Sequence, residues 1–412
     1  MMRLLVTLIF AFSFHLSYPQ DPGFFTVSGT VKDAETGKPV PFASISFEEG
    51  FSGIVSNPDG EFSLTISSEL KSDHSRIMIS HIGYRRSYFA LEGIEGPRGD
   101  FLLVPQTVHL TEVTIRPADA RSIVAESLDR IGDNYPLSPL RLTGFYRETI
   151  KQRRDYVSIT EALVDIYKAP YDSQGNDLLR IVRGRKSGNI KQQDTLLVKL
   201  QGGPHVSLLL DVVKNRDLLF EGNLGHYFFE IEDIVIIDDT PHYAIVFGPR
   251  VKLNYPLYYG KLFITVNRKA LTMAEFSLDL SDKAKAVQSF ILRKPARLRF
   301  IPESTRYLVH YKEVEGRYYI DYIRYELEFS ADWRRRLFRT GYTIMSEMAV
   351  TAREPLSGEK FAFQEAFLSS SVLADLVPVY FHDEFWDGYN YIEPEQSIHD
   401  AIRRLNRRLD DW

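Results

Sequence analysis

VSGTVKDAETGKPVPFASISFEEGFSGIVSNPDGEFSLTI, residues 27–66, decides how the chain begins to fold. Strand-like runs are separated by AETGKPVP, EEG and NPDG, and no helical period runs through them. Val27 and Val31 mark a first strand; in the second, Ala43, Ile45 and Phe47 share one face and Phe42, Ser44 and Ser46 the other, as a period of two requires. Asn57-Pro58-Asp59-Gly60 has the residues of a type I turn: Asn leads, Pro presets φ, and Gly relieves the last position. Phe62, Leu64 and Ile66 then alternate inward, followed by Ile77, Ile79, Tyr88, and finally Phe101, Leu102 and Val104. Short strands with turns at this spacing predict an antiparallel β-sandwich.

Taken with ISHIGYRRSYF and the closing VHLTEVTI, these motifs resemble the carboxypeptidase regulatory-like domain over residues 25–115. The resemblance implies a seven-stranded, transthyretin-like (Ig-like) sandwich at the front of an exported protein of the Bacteroidetes type. It implies a structural or interactive module and carries over no catalytic residue. Asn57 and Asp59 lack the alternating oxygen ligands and terminal Glu of a calcium loop. His81 has no second ligand beside it, so packing or hydrogen bonding is the expected role.

Working outward, residues 1–20 carry one positive charge at Arg3 and then an apolar run from Leu4 to Phe14. That length suits a signal peptide and is too short to span a bilayer. The 412 residues contain no cysteine, so an exported chain would rely on its cores rather than disulfides. A net charge of −5 gives no general attraction to nucleic acid.

Residues 117–136 predict a linker helix with Val124, Leu128 and Ile131 on one stripe, stopped by Gly132 and Pro136. Related front modules lead into outer-membrane receptors, but a helix here and a short remainder argue against a receptor barrel. Residues 140–355 predict a larger antiparallel β-meander or half-barrel, interrupted by a helix over residues 204–220. In the strand containing Ile323, Tyr325, Leu327 and Phe329, alternation with Arg324, Glu326 and Glu328 predicts one buried and one wet face. The order of strands is similar to the open sheets of periplasmic lipoprotein carriers. A concave sheet this rich in Tyr and Phe could hold an apolar or glycan ligand; the preferred expectation is that the aromatics form core. Residues 356–412 predict a docking segment and an amphipathic helix with Ile398, Ile402, Leu405 and Leu409 on one side and Arg403, Arg404, Arg407 and Arg408 on the other.

Candidate chemistry is sparse. His310 and Glu313 form an HxxE string, but on a strand positions three apart face opposite ways; His382 and His399 do not complete a zinc site. His382, Asp383, Glu384 and Asp387 form the densest ligand-like cluster, set among Phe381, Phe385 and Trp386, which favour docking. Trp333, Arg334, Arg335, Arg336 and Arg339 form a basic knot able to touch lipid phosphate or an acidic partner. HExxH, GxSxG and a phosphate loop are absent from the sequence. The expectation is a mainly β, non-catalytic exported protein of the periplasm or outer membrane. It would have no catalytic residues, metal or cofactor, and would bind an envelope protein or an apolar or glycan ligand. A hydrolase or peptidase with a dispersed site, and a glycan-binding or adhesion component, are the alternatives.

Overall fold

The structure, a computed structural model, describes residues 23–47, 52–70, 72, 75–91, 99–106, 119–187, 199–200, 203–215, 224–287, 291–293, 298–333, 339–356, 360–368, 370–378, 383–386 and 388–410. The fold is mainly β. The first 22 residues, with the signal-like run, lie outside the described residues.

Seven strands build the front module: β1 (Phe24–Asp33), β2 (Ser44–Phe47), β3 (Gly53–Val55), β4 (Glu61–Ser67), β5 (Arg76–Ser80), β6 (Ser87–Ala90) and β7 (Gly99–Leu103). They form two sheets, ordered β4-β1-β7 and β3-β2-β5-β6. Between them lie Val31, Ile45, Phe62, Leu64, Ile77 and Ile79, all inaccessible to solvent as anticipated, whereas Tyr88, Leu102 and Val104 are exposed and Phe101 and Leu103 take the interior places on β7. One pairing departs from the antiparallel expectation: β7 runs parallel to β1, because the chain crosses to the other sheet and back before β7 arrives. The Asn57–Gly60 turn closes with a 2.9 Å bond from Gly60 N–H to the Asn57 carbonyl. Gly60 sits at φ +75°, and a Cβ there would fall 2.6 Å from the Val31 carbonyl oxygen, so glycine is required.

Two short helices follow, α1 (Ala120–Asp129) and α2 (Ile131–Asn134), with Asp119 capping the first through bonds from Arg121 N and Ser122 N. The second part contains β8 (Leu140–Gln152), β9 (Asp155–Lys168), β10 (Leu178–Ser187), β11 (Lys199–Leu200), α3 (Pro204–Leu209), β12 (Tyr227–Ile237), β13 (Thr240–Pro249), β14 (Tyr258–Thr265), β15 (Leu271–Leu278), β16 (Ile291–Arg293), β17 (Leu298–Val314), β18 (Arg317–Trp333) and β19 (Thr340–Pro355). Ten of these strands form one antiparallel sheet ordered β10-β9-β8-β19-β18-β17-β15-β14-β13-β12. The first strand of this part therefore lies in the sheet's interior, paired with the last one, β19. Of the stretch 204–220 anticipated, α3 covers Pro204–Leu209, residues 210–215 are not helical, and residues 216–220 lie outside the described residues. Asp211 ends the helix, because its carboxylate accepts Val213 N and Lys214 N and is also pulled inward by Lys168.

The two faces of the large sheet are covered differently. One packs on α1, α2 and α3 through an apolar cluster that includes Tyr146, Val164, Val309, Ile323 and Val350 from the sheet and Ile123, Val124 and Tyr135 from the helical segment. Tyr135 donates a 2.6 Å bond to the Leu271 carbonyl, pinning that segment. The aromatics Tyr135, Tyr146, Tyr171 and Tyr311 are buried within this cluster and act as core. The other face carries the sandwich. Phe145, Leu163, Tyr322 and Ala349 of the sheet join the sandwich's own interior in a single cluster, together with Trp386 and Ile392 of the tail. Asn390 adds a polar clamp, accepting Thr65 N at 2.6 Å and donating to the Thr65 carbonyl at 3.0 Å and to Ser52 Oγ at 3.1 Å. The sandwich is thus fixed on the sheet by shared core.

Candidate functional site

The register of five neighbouring strands lines up opposite charges. Arg185 on β10 faces Glu161 on β9, Glu161 faces Arg147 on β8, Arg147 faces Glu347 on β19, and Glu347 faces Arg324 on β18. Directly opposed side chains on one face interact, and here each neighbour has the opposite sign. Arg185 Nε lies 2.8 Å from Glu161 Oε2, Arg147 Nε 2.8 Å from Glu161 Oε1, Arg147 Nη1 3.2 Å from Glu347 Oε1, and Arg324 Nη1 3.4 Å from Glu347 Oε2. Tyr322 donates to Glu347 at 2.9 Å, and Arg147 Nη2 donates to the Ile392 carbonyl at 2.6 Å.

Arg147 is only 1% exposed and Glu161 is inaccessible. Burial alone would push the Glu161 carboxyl up, but Arg147 and Arg185 outweigh it and hold the group below the usual carboxylate range. Burial likewise opposes the charge on Arg147, and Glu161 and Glu347 more than restore it. A buried pair of this kind adds little net stability over apolar packing, but losing one member is costly. Along β18 the face holding Arg324 is therefore not uniformly wet. The sandwich covers it at Tyr322, and Phe42 stacks on the Tyr322 ring with centroids 5.9 Å apart.

Past the edge of the sandwich this row opens into a cleft of about 390 Å³. The sandwich contributes Phe42 and Pro58 and the tail Glu395 and Ile398. The sheet supplies the floor, with Arg147, Lys151, Arg324, Glu326, Glu328 and Glu347 among its lining residues. The lining holds three cations and four carboxylates. Glu326 lies 3.7 Å from both Arg306 and Arg324, Glu328 accepts Ser304 Oγ at 2.9 Å, and Glu395 accepts Tyr156 OH at 2.7 Å. Lys151 rests over the Tyr156 ring at 4.4 Å. The carboxyl of Glu395 is held below its ordinary range: burial opposes this, and the Ser397 and Tyr156 hydroxyls, with Lys151 nearby, prevail.

A second ionic group lies under the other side of the sandwich. His310 Nδ1 is 3.4 Å from Asp321 Oδ2, Arg353 Nη2 bonds Asp321 Oδ1, and buried Lys312 donates to Ser44 Oγ at 3.4 Å. Burial pushes the Lys312 ammonium down to about 8, with Asp321 only partly offsetting it. The adjoining cavity, lined also by Arg86, Asp238 and His242, is about 10 Å³, room for one water at most. His310 is thus partnered by Asp321, which sequence reasoning missed, and Glu313, which lines the same small cavity, pairs with Arg268 at 3.1 Å. A third feature, a groove of about 630 Å³ lined by Ser173–Leu178, His205 and Phe363, includes Asp177, which pairs with buried Lys168 at 2.5 Å.

The remaining sequence candidates are dispersed. Asn57 Oδ1 accepts Asp59 N and Glu61 N, and Asp59 accepts Gln396 N, so these oxygens serve the turn and the tail. His81 bonds the Ile82 carbonyl and meets the edge of Tyr84. His399 lies on the C-terminal helix, Gln396–Asp410. His382, Asp387, Arg334, Arg335 and Arg336 lie outside the described residues, and Asp383 and Glu384 fall in a short turn with Trp386. Trp333 closes β18, and Arg339 pairs with Asp332 at 3.6 Å. Trp386 is buried against Phe145, with ring centroids 5.5 Å apart, and Arg185 lies 4.7 Å over its ring. Among the described residues no three His, Asp or Glu side chains are grouped to hold a metal, and no helix is long and apolar enough to cross a membrane.

Fold and cleft together define a mainly β chain in which a sandwich is docked on a large open sheet. Its front part, residues 27–115, matches the family described as CarboxypepD_reg-like domain. No curated protein sequence matches the chain. Among solved structures, it is similar to one described as an outer membrane lipoprotein-sorting protein domain from Vibrio parahaemolyticus, at 10% identity and a TM-score of 0.26, over 59% of this chain and 95% of that one. A DUF1329 family protein from Desulfovibrio piger matches at 8% identity and 0.24, over 57% and 94%. MucB matches at 12% identity and 0.19, over 57% and 98%.

Proposed function

We propose that this chain is a non-catalytic protein of the cell envelope whose sandwich and sheet jointly hold a ligand in the 390 Å³ cleft. One observation carries this reading. The cleft's four carboxylates and both of its arginines are tied into ion pairs and hydrogen bonds, and Lys151 rests over the Tyr156 ring. A general acid or base must reach the proton it moves on the substrate, and here Arg147, Arg324, Glu326, Glu328, Glu347 and Glu395 face one another or neighbouring hydroxyls. Within this reading the front module is a wall of the binding site and not only a spacer. The signal-like first 20 residues support export.

The test has two arms. Purified full-length chain is screened for hydrolysis of peptide, ester and glycoside substrates, with and without added zinc, and a tagged copy is fractionated from cells. Absence of turnover together with recovery from the envelope fraction is the expected result. Turnover abolished by Glu347→Gln or His310→Ala, or a purely cytosolic tagged chain, would defeat the proposal.

A further inference from the structure

The composition of the cleft is informative about what it takes. A wholly apolar ligand would pack on Phe42, Pro58, Met345 and Ile398 but would also strip water from the Arg, Lys and Glu side chains of the floor. A polyanion would meet Glu326, Glu328 and Glu395, and a polycation would meet Lys151, Arg147 and Arg324. A zwitterion needs charges free to pair with its own. Here Arg147 is shared between Glu161 and Glu347, and Arg324 lies beside Glu347 and Glu326.

Paired charges still have hydrogen-bonding capacity. A carboxylate offers about four acceptor positions and a guanidinium five donors, and one partner does not saturate either. Hydroxyl groups both donate and accept, so one diol can use the two halves of an ion pair without breaking it. Thr149 and Thr343 add hydroxyls to the same lining.

The apolar edge is held under strain. Phe42 lies at φ +58°, a conformation that bulky residues avoid. Such outliers persist only where surrounding packing enforces them. The half-buried ring stacks on Tyr322 at an interplanar angle of 24° and has the Arg324 guanidinium 5.0 Å from its centroid. With Pro58 it forms a rigid apolar lip beside a hydrogen-bonding floor. Stiff apolar surface next to convergent donors and acceptors suits a ring that has C–H patches and hydroxyl edges.

We infer that the cleft is a saccharide site, taking a neutral, hydroxyl-rich ligand of one or two rings between Phe42 and the Glu326–Glu328 edge of β18. The inference rests on the reading that this chain binds its ligand without transforming it. The volume falls within the range of about 300–1,000 Å³ for small-molecule pockets.

Calorimetric titration of the full chain with cellobiose, maltose, mannobiose and diacetylchitobiose tests it, with triglycine and inorganic phosphate as charged comparators. At least one disaccharide binds, with affinity changing less than about twofold between low and high salt, since no net charge is neutralised. Glu326→Ala with Glu328→Ala weakens that binding about tenfold or more, the scale expected for losing hydrogen bonds to charged groups. Thr343→Val, a smaller change, weakens it less, and both variants keep the parent melting temperature. Binding by none of the four sugars, or binding that ignores both variants, overturns the inference. Salt-sensitive binding of triglycine or phosphate alone, lost in the double variant, would overturn the ligand class while leaving the binding function intact. Hydrolysis of a bound disaccharide would instead overturn the non-catalytic reading itself.

Discussion

The two faces of the ten-stranded sheet solve burial in opposite ways. Toward α1–α3 the sheet presents Tyr146, Val164, Ile323 and Met348, and an apolar cluster closes over them. Toward the sandwich it presents Phe145 and Leu163 interleaved with the row Arg185, Glu161, Arg147, Glu347 and Arg324. Met348 and Glu347 are adjacent in sequence, both buried, and they serve opposite faces. The first face is forgiving, because apolar contacts degrade gradually. The second is unforgiving, because each charge depends on its neighbours, and its exposed continuation becomes a polar cleft.

The largest effect tests that contrast at its centre. Arg147→Met removes the cation shared by Glu161 and Glu347, leaving Glu161 to Arg185 and Glu347 to Arg324 and Tyr322, and is expected to cost about 3 kcal/mol in urea unfolding. Converting Glu161, Arg147 and Glu347 together to apolar residues of similar volume is expected to recover most of that loss. A single substitution costing under about 1 kcal/mol would mean the row is hydrated rather than buried.

Lys312, a buried ammonium at the interface with the sandwich, comes next. Lys312 folds with its pKa depressed from 10.5 to about 8, so between those values the unfolded chain binds the extra proton and stability rises with pH. Lys312→Met removes that rise and raises stability at neutral pH, by at most about 3 kcal/mol. Unchanged pH dependence of the melting temperature between pH 8 and 10.5 would contradict it.

On the helix-covered face, Ile323→Val removes one buried methylene and is expected to cost about 0.5–1.5 kcal/mol without altering pH dependence. Acid titration gives a further separation. His242 is pushed down to about 4, chiefly by burial, so the unfolded state takes up the proton first and stability falls as pH drops from about 6.5 toward 4. His242→Phe flattens that window if the ring is accommodated, which circular dichroism melts across pH can follow. The smallest change belongs to the solvent-exposed pair Lys32–Asp100, 2.7 Å apart; Lys32→Ala should cost under about 1 kcal/mol.

The sandwich was legible because its information is local. Alternation and the Asn57–Gly60 turn set strand boundaries within a few residues of one another. The large sheet was legible as a class, β-rich and antiparallel, but its order was not. Strand β8 pairs with β19, bringing Arg147 beside Glu347 across 200 residues, and no local pattern encodes such a neighbour. The same distance hides the charge row. Arg324 alternating with Ile323 and Tyr325 correctly implies two faces, but whether the polar one is wet depends on where a separate module docks. His310, Asp321, Lys312 and Arg353 come together from three strands, helped by a bulge between His310 and Tyr311, and no local pattern announces that grouping. Helix α3 stops early for a comparable reason, since Asp211 answers to Lys168 on β9.

The central claim is that sandwich and sheet share one core and unfold as one body. Differential scanning calorimetry of the full chain tests it directly. The account predicts a single transition whose calorimetric and van't Hoff enthalpies agree. Two separable transitions, the first affecting only the N-terminal module, would contradict it.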